Sequence, residues 1–269
     1  MSVSSLLLGR LMRHLPLSFL VVALLCAAPV MARDQAPPPG TALVAAAQDG
    51  AETGAEAPAV PAVQRPALPP LAASPQAAVA VCLDGDTLKL TSRRTVRLAG
   101  IDTPEMGKRD KKPQYYAREA REILNELARG QDVTLYQPSN KQQDKYGRLI
   151  ADVCLPDGRS LNALMVEAGA AFFYPHADLD PAYQDWLKSL QADAIHERRG
   201  MWAWILTQPL ALKSYTGNKE SRRFFPAASQ EAQSIKPRNR VHFGTLMDAF
   251  LAGYAPARRT NPWPDAEEK

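Results

Sequence analysis

The sequence predicts a mainly β protein with added helices, an α+β fold built on a five-stranded barrel with about three helices. Five short segments combine apolar–polar alternation with flanking turn residues, as strands do, and they cover residues 79–84, 86–92, 95–102, 132–138 and 148–156. One helical segment lies between the third and fourth strands, and two more follow the fifth. Five strands with a helix in that place are the order of an OB-type barrel, a fold that often carries nucleic acid on one face.

The helices are predicted by apolar spacing and by their end signals. The first covers 117–129, where small and aliphatic residues recur on one face, and Gly130 ends it. The second is short and covers 161–168. The third begins after Asp180, an N-cap residue that is followed by a proline in the first turn, and it continues to just before residue 200.

Residues 1–32 have the composition of a secretory signal. Basic residues precede an apolar run from Leu15 to Met31, and small residues lie near its end. The run contains two prolines and is short for a bilayer span, which needs about 20 apolar residues. We therefore expect an exported protein, secreted or periplasmic, with an uncleaved membrane anchor as the alternative.

The other flanking segments differ from the predicted barrel in composition. Residues 33–78 are rich in Ala and Pro and have almost no periodic pattern, so we interpret them as a disordered linker. The folded domain is expected over 79–206. Residues 207–269 are expected to be a basic C-terminal tail of unknown role, with no motif and at most one helix, over 241–254.

The net charge of +4 is unevenly distributed along the chain. Residues 80–206 contain 18 Lys and Arg against 18 Asp and Glu, a net charge of zero, whereas residues 207–269 contain 10 against 6, a net charge of +4. The predicted barrel therefore has no overall positive field, and any binding of a polyanion there depends on locally placed arginines and a cation.

Two cysteines, Cys82 and Cys154, lie in predicted strands, while Cys26 belongs to the signal. In an oxidising compartment such a pair can form a disulfide. Two buried free thiols explain the pattern equally well, and the sequence leaves the choice open.

Four carboxylates at two predicted strand ends are the main candidates for chemistry. They occur in the stretches Asp84-Gly85-Asp86-Thr87 and Asp102-Thr103-Pro104-Glu105. Ionised carboxylates that lie together repel one another unless a cation compensates them. Asp86 and Asp102 are hard oxygen ligands suited to Ca²⁺, and Asp84 is a candidate to hold a water bound to that ion. Glu105 is placed to orient or deprotonate an attacking water.

Two arginines and their neighbours complete the chemistry of a phosphodiester hydrolase. Arg97 and Arg148 can each make bidentate hydrogen bonds to phosphate oxygens, which lysine cannot do. Lys145 and Tyr146 stand beside Arg148 and are candidates to contact a terminal phosphate or sugar. Strict alternation would put Arg97 and Asp102 on opposite faces of one strand. They converge only if the strand bends, and we expect the bend at Gly100.

The motifs occur together in a known order. The chain reads V-x-L-D-G-D-T, then the strand with Arg97, then I-D-T-P-E and D-K-Y-G-R, followed by the helix that starts near Asn162, a Glu-Ala-Gly stop and Trp202. This pattern resembles the staphylococcal nuclease (thermonuclease) family and covers about residues 79–204. The resemblance implies an OB barrel with helices and Ca²⁺-dependent hydrolysis of DNA and RNA that leaves 3′-phosphates.

The resemblance also implies residue roles. It makes Asp86, Asp102 and the main-chain oxygen of Thr103 the Ca²⁺ ligands, Glu105 the general base, and Arg97 and Arg148 the groups that hold the scissile phosphate. Lys145 and Tyr146 match positions that contact a nucleotide phosphate. The namesake has two tyrosines flanking the nucleotide where this chain reads Phe172-Phe173-Tyr174, so Tyr174 is the candidate for one of those roles, in a register shifted by about one residue.

The expected substrate is single-stranded or locally melted DNA and RNA, and we expect a monomer without an obligate protein partner. One alternative is a non-catalytic OB module that binds nucleic acid and is tethered to the cell envelope. That alternative accounts for the barrel and the arginines but not for four clustered carboxylates, which repel phosphate unless a cation is present. A tethered scaffold is a further alternative that rests on the Ala/Pro-rich segment alone.

Overall fold

The computed structural model describes residues 64–71, 77–107 and 111–258. The predicted signal, most of the predicted linker and the last residues of the chain lie outside these ranges. No helix in the part of the chain that is described is long and apolar enough to cross a membrane.

Five strands close a barrel, as the sequence predicts. The strands up to residue 173 are β1 (Ala77–Cys82), β2 (Thr87–Leu90), β3 (Thr95–Leu98), β4 (Ile101–Asp102), β5 (Asp132–Tyr136), β6 (Leu149–Cys154) and β7 (Phe172–Phe173). The barrel order is β1, β2, β3, β6, β5, and β5 pairs back with β1. The β3–β6 pair is parallel and the other pairs are antiparallel. The α+β class and the OB-type barrel are thereby confirmed.

Within the described residues up to 206, four helices accompany the barrel: α1 (Ala117–Ala128), α2 (Leu161–Glu167), α3 (Pro181–His196) and α4 (Trp202–Ile205). The side chain of Asp180 accepts a hydrogen bond from the Tyr183 main chain and caps α3, and Ser160 caps α2 in the same way. α1 buries small residues and Leu124 at helical spacing, so it packs closely on the barrel. The predicted helices are found with ends that differ by a few residues.

Residues 64–71 pack against the barrel although they fall within the predicted linker. Leu71 is buried, and its main-chain N–H donates to the Leu135 carbonyl at 2.9 Å. Arg65 donates from Nε to Oδ2 of Asp152 at 2.8 Å, and Asp152 is fully buried. The ordered fold therefore begins before residue 79, because one aliphatic side chain and one buried ion pair attach this segment to β5 and β6.

Residues 209–258 form a folded C-terminal module where the sequence analysis expects a tail. Its elements are β8 (Tyr215–Asn218), β9 (Arg223–Pro226), α5 (Gln230–Ser234), β10 (Arg240–Phe243), α6 (Leu246–Leu251) and β11 (Ala255–Pro256), with single 3₁₀ turns at Pro209–Leu212 and Pro237–Asn239. The strands form one sheet in the order β10, β8, β9, β11. The one helix considered possible over 241–254 is present but shorter, as α6, and the strand β10 occupies the start of that segment.

The C-terminal module shares its core with the barrel domain. The Phe250 ring makes edge contacts with Trp202 and Phe172, at centroid distances of 4.8 and 5.7 Å. Gln191 of α3 is fully buried and donates from Nε2 to the Phe250 carbonyl at 2.8 Å. Aromatic packing and a satisfied buried amide thus hold α6 against α3.

Both cysteines in the described ranges are free thiols. Cys82 in β1 and Cys154 in β6 are buried and form no disulfide. Burial raises the pKa of Cys82 to about 11 and that of Cys154 to about 12. Of the two interpretations that the sequence leaves open, the structure has the free thiols.

Candidate active site

Asp86 is the most enclosed of the candidate carboxylates. It follows the turn after β1 and is 6% exposed. Its Oδ2 accepts hydrogen bonds from the main-chain N–H and the hydroxyl of Thr103, both at 3.2 Å, and its Oδ1 accepts from the Thr87 hydroxyl at 2.9 Å. These donors stabilise the ionised carboxylate and fix its orientation.

The turn that carries Asp86 requires a glycine. A Cβ at Gly85 would lie 2.8 Å from the Ala120 Cβ and 2.9 Å from the Thr103 Cγ2, closer than real side chains approach. Asp84 contributes to the same turn, because its Oδ1 accepts from the Asp86 main-chain N–H at 3.2 Å. Close packing of α1 and of the chain after β4 thus brings the two acidic stretches together.

Arg97 links the two strand ends. Its guanidinium forms ion pairs with Asp86 and with Asp102, the latter at 2.5 Å between Nη2 and Oδ1. The expected bend is present, since β3 ends at Leu98 and Gly100 has a φ of +73° before β4 begins. This left-handed residue reverses the alternation, and Asp102 therefore meets Arg97.

Arg148 approaches the same carboxylate from the β6 side. Its Nη1 donates to the Thr87 hydroxyl at 3.3 Å, and that hydroxyl donates to Asp86. Asp144 fixes the arginine, because its Oδ2 accepts from Arg148 Nε at 2.7 Å and its Oδ1 accepts from the Arg148 main chain. Burial alone would raise the pKa of Asp144, but the hydrogen bonds from Arg148 and Tyr146 lower it.

Glu105 lies three residues beyond Asp102, in an exposed loop. Gln114 makes two hydrogen bonds with the main chain of Glu105. Its side-chain oxygen accepts from the Glu105 N–H at 2.6 Å, and its main-chain N–H donates to the Glu105 carbonyl at 2.9 Å. Burial lowers the pKa of Arg258, while Tyr174, Asp102 and, least of the three, the negative charge of Glu105 raise it. Glu105 is therefore a positioned carboxylate in reach of solvent.

Lys145 and Tyr146 stand at the outer rim beside Arg148. The Tyr146 side chain is exposed, with Lys145 Nζ 5.1 Å and the Arg148 guanidinium carbon 5.5 Å from its ring centroid. An exposed aromatic ring between two cations offers stacking and charge to a nucleotide.

Tyr174 is next to the site but is partly covered. Its main-chain N–H donates to the Gly100 carbonyl at 2.8 Å, immediately after the β4–β7 pairing that places Asp102 opposite Phe172. The guanidinium carbon of Arg223, from the C-terminal module, lies 3.6 Å from the Tyr174 ring centroid. One face of the ring is therefore occupied by an arginine, and a base could stack only on the other face.

The donor set fits a hard divalent cation. Within the described ranges, no group of three or more His, Cys, Asp or Glu side chains is arranged to hold a metal ion. The site instead offers two carboxylates, Asp86 and Asp102, that face one guanidinium, and Thr103 stands beside Asp86. Carboxylate and main-chain oxygens with added waters are the ligands that such cations take.

Comparison with known proteins places this arrangement in a family. Residues 95–204 match the family model described as staphylococcal nuclease homologue. An uncharacterized endonuclease of Escherichia coli is 36% identical over 138 residues, which cover 50% of this chain and 82% of that protein. The thermonuclease of Staphylococcus intermedius is 32% identical over 125 residues, 45% of this chain and 71% of that protein.

Barrel, site and relatives together define a nuclease, a hydrolase that acts on nucleic acid. The chain belongs to the staphylococcal nuclease family, whose activity depends in general on a metal ion. Because the chain is an enzyme of this family, the non-catalytic binding module and the tethered scaffold are set aside.

Sequence reasoning missed several residues that position the site. Thr87 and Asp144 lie in the same motifs as Asp86 and Arg148, to which they are hydrogen-bonded. Their polar side chains next to these residues were the signal that could have identified them. Gln114 carried no signal, because a lone glutamine in a polar loop has no distinguishing spacing. Arg223 lies beyond the matched residues, in a segment without a recognisable motif.

Proposed function

We propose that this chain is an exported, Ca²⁺-dependent nuclease that cleaves DNA and RNA and leaves 3′-phosphate ends. One observation carries the proposal: two arginines, one in β3 and one immediately before β6, converge on the buried carboxylate Asp86. Arg97 pairs with it directly, and Arg148 reaches it through the Thr87 hydroxyl. Such convergence places positive charge beside a candidate metal site, as phosphoryl transfer requires.

Each residue has a distinct task in this proposal. Asp86, Asp102 and the main-chain oxygen of Thr103 hold the Ca²⁺, which when bound supplies positive charge beside the phosphate. Arg97 and Arg148 donate paired hydrogen bonds to the phosphate oxygens and stabilise the charge that develops there. Glu105 accepts the proton of the attacking water. Asp84 stabilises the turn that presents Asp86.

Residues at the rim of the candidate site position the substrate. Lys145 and Tyr146 contact a neighbouring phosphate or sugar, since both are solvent-exposed beside Arg148. Tyr174 lies at the edge of the site, where Arg223 covers one face of its ring. Unstacked bases reach these side chains more readily than paired ones, which favours single-stranded or locally melted substrates.

Export is supported by the first 32 residues, whose basic start and apolar run are those of a secretory signal. Expression of the full chain with its own N-terminus, followed by fractionation and N-terminal sequencing, tests this proposal. A soluble periplasmic or secreted product that starts near residue 33 is expected. A product that stays in the membrane fraction with an intact N-terminus would indicate an anchor.

The catalytic proposal is tested with single-stranded DNA and RNA in Ca²⁺, in Mg²⁺ and in a chelator. We expect cleavage in Ca²⁺ that stops on chelation and returns when Ca²⁺ is restored. Product ends should resist extension by a terminal transferase until a phosphatase removes the 3′-phosphate. Products that are extended without phosphatase treatment would overturn the assignment of the cleaved bond.

A further inference from the structure

The C-terminal module brings an arginine to the edge of the nuclease site. Arg223 begins β9, and its guanidinium lies over the Tyr174 ring, with Nη2 donating to the Pro175 carbonyl at 3.0 Å. Tyr174 is itself bonded to Gly100, between Arg97 and Asp102 in the chain. The arginine is therefore fixed to the segment that positions Asp102.

A second arginine, Arg258, lies two residues after β11, the strand next to β9. β11 runs parallel to β9 with Ala255 opposite Arg223, and the Ala257 N–H donates to the Phe224 carbonyl at 3.0 Å. Arg258 follows directly and is exposed. Burial alone would lower the pKa of Arg258, but Tyr174, Asp102 and Glu105 together raise it. Its charge therefore lies close to two carboxylates of the candidate site.

The neighbouring Arg222 makes its contacts within the C-terminal module instead. Arg222 lies over the Tyr254 ring at 4.6 Å and donates to the Ala252 carbonyl at 3.0 Å, so it binds elements of the module to each other. Burial lowers the pKa of Arg223 most, Tyr174 and Asp102 raise it, and the charge of Arg258 lowers it least. Arg223 and Arg258 are thus carried by paired strands at the same edge of the candidate site. Two neighbouring guanidinium groups attract an anion, and guanidinium forks match phosphate oxygens.

We propose that Arg223 and Arg258 form a second phosphate-binding subsite, which binds a backbone phosphate adjacent to the scissile one. The subsite rests on the proposed function, because it extends the same nucleic-acid path. It lies outside residues 95–204, the part of the chain that matches the nuclease family. A substrate with a phosphate on the appropriate side of the scissile bond gains affinity through this contact.

Binding tests the subsite without any need for hydrolysis. Fluorescence anisotropy of a labelled eight-residue oligothymidylate in EDTA, titrated with salt, gives the slope of log affinity against log salt. Each phosphate contact with a single strand contributes about 0.7 to that slope. Arg258→Ala should reduce the slope by about that amount, whereas Arg223→Lys, which keeps the charge, should retain it.

The matched control is Arg238→Ala. Arg238 is exposed in the same module and precedes β10, at the opposite edge of the sheet from β11. Its loss removes one positive charge and should leave the slope unchanged. If Arg258→Ala and Arg238→Ala change the slope equally, the arginines act only through net charge, and the subsite is overturned.

Hydrolysis locates the subsite relative to the scissile bond. The dinucleotide TpT has one phosphate, and pTpT and TpTp add a second on either side. For the wild-type chain, kcat/KM of one extended substrate should exceed that of TpT about tenfold, as one charged hydrogen-bonded contact allows. Arg258→Ala and Arg223→Ala should bring this ratio towards one.

Three results would overturn the subsite. The first is a kcat/KM ratio of one between the extended dinucleotides and TpT in the wild-type chain. The second is a ratio that does not change in either variant. The third is a variant that is more active than the wild type. The last result would mean that the arginines compete with the metal for Asp102 and with the attacking water for Glu105. If no dinucleotide is cleaved while the salt slope still falls in Arg258→Ala, the proposed nuclease function fails and the phosphate contact stands.

Discussion

Arg97→Lys is the substitution that separates geometry from charge at this site. The guanidinium of Arg97 contacts Asp86 through Nη1 and Asp102 through Nη2. Lysine keeps the positive charge but has one ammonium group, which cannot hold two carboxylates or two phosphate oxygens in a planar fork. The variant therefore loses one of two charged hydrogen bonds while the net charge stays the same.

The size of the effect follows from the contacts. The Arg97 side chain is 15% exposed, so its hydrogen bonds are largely shielded from water. A hydrogen bond to a charged group contributes about 1.5–3 kcal/mol, and a tenfold change in rate corresponds to about 1.4 kcal/mol. If the lost bond is made to the transition state, kcat should fall about 10- to 150-fold with KM little changed.

Steady-state hydrolysis of a short single-stranded DNA at saturating Ca²⁺ measures this change. Arg93→Lys is the matched control, because Arg93 is exposed in the turn between β2 and β3. A kcat for Arg97→Lys equal to that of the control would refute the assignment of Arg97 to the phosphate. A raised KM with normal kcat would mean that Arg97 binds ground state and transition state equally.

Three other substitutions test separate parts of the structure. Glu105→Gln should lower kcat by about 10²–10⁴ and leave Ca²⁺ binding intact by calorimetry, because it removes the proton acceptor alone; near-normal turnover would exclude Glu105 as the base. Asp144→Asn removes the charged partner of Arg148 Nε and should lower kcat/KM about tenfold, with unfolding by urea little affected; an unchanged kcat/KM would show that Arg148 is positioned without it. Arg65→Met leaves the buried Asp152 with the Ser160 and Tyr183 hydroxyls and the Cys154 thiol as remaining donors. It should lower the free energy of unfolding by about 2–3 kcal/mol, as loss of a hydrogen bond to a charged group does. For comparison, Arg159→Met, in an exposed pair with Asp157, should lower it by less than about 1 kcal/mol, and equal losses in the two variants would contradict the role given to Arg65.

The barrel was predictable because its strands and helices carry strong local signals. Alternation marks β1, β2, β5 and β6, and Asp180 with Pro181 marks the start of α3. The strand predicted over 95–102 is divided into β3 and β4, and only its glycine indicated the bend. The C-terminal sheet gave no comparable pattern. Its strands β8 and β9 have four residues each, with sequences YTGN and RFFP, and their stability comes from packing around Phe224 and Phe250 rather than from alternation.

The candidate site also has a part that the sequence predicts and a part that it does not. Asp86, Asp102, Arg97 and Arg148 were found from motifs, and the structure brings them together. The contact of Arg223 with Tyr174 joins residues 49 positions apart in the chain, and no local pattern encodes such a distance. Tertiary packing of the C-terminal module decides it.

The two free thiols have a consequence for where this enzyme can be made. A domain that buries Cys82 and Cys154 without a disulfide needs neither an oxidant nor an isomerase to reach its fold. With pKa values of about 11 and about 12, both groups stay protonated at neutral pH and react slowly with oxidants. The described fold is therefore as accessible in a reducing cytoplasm as in an oxidising periplasm. A cell that makes this nuclease cannot rely on redox conditions to keep it unfolded beside its own nucleic acids. Under the function proposed above, the timing of export or the supply of Ca²⁺ would have to protect them.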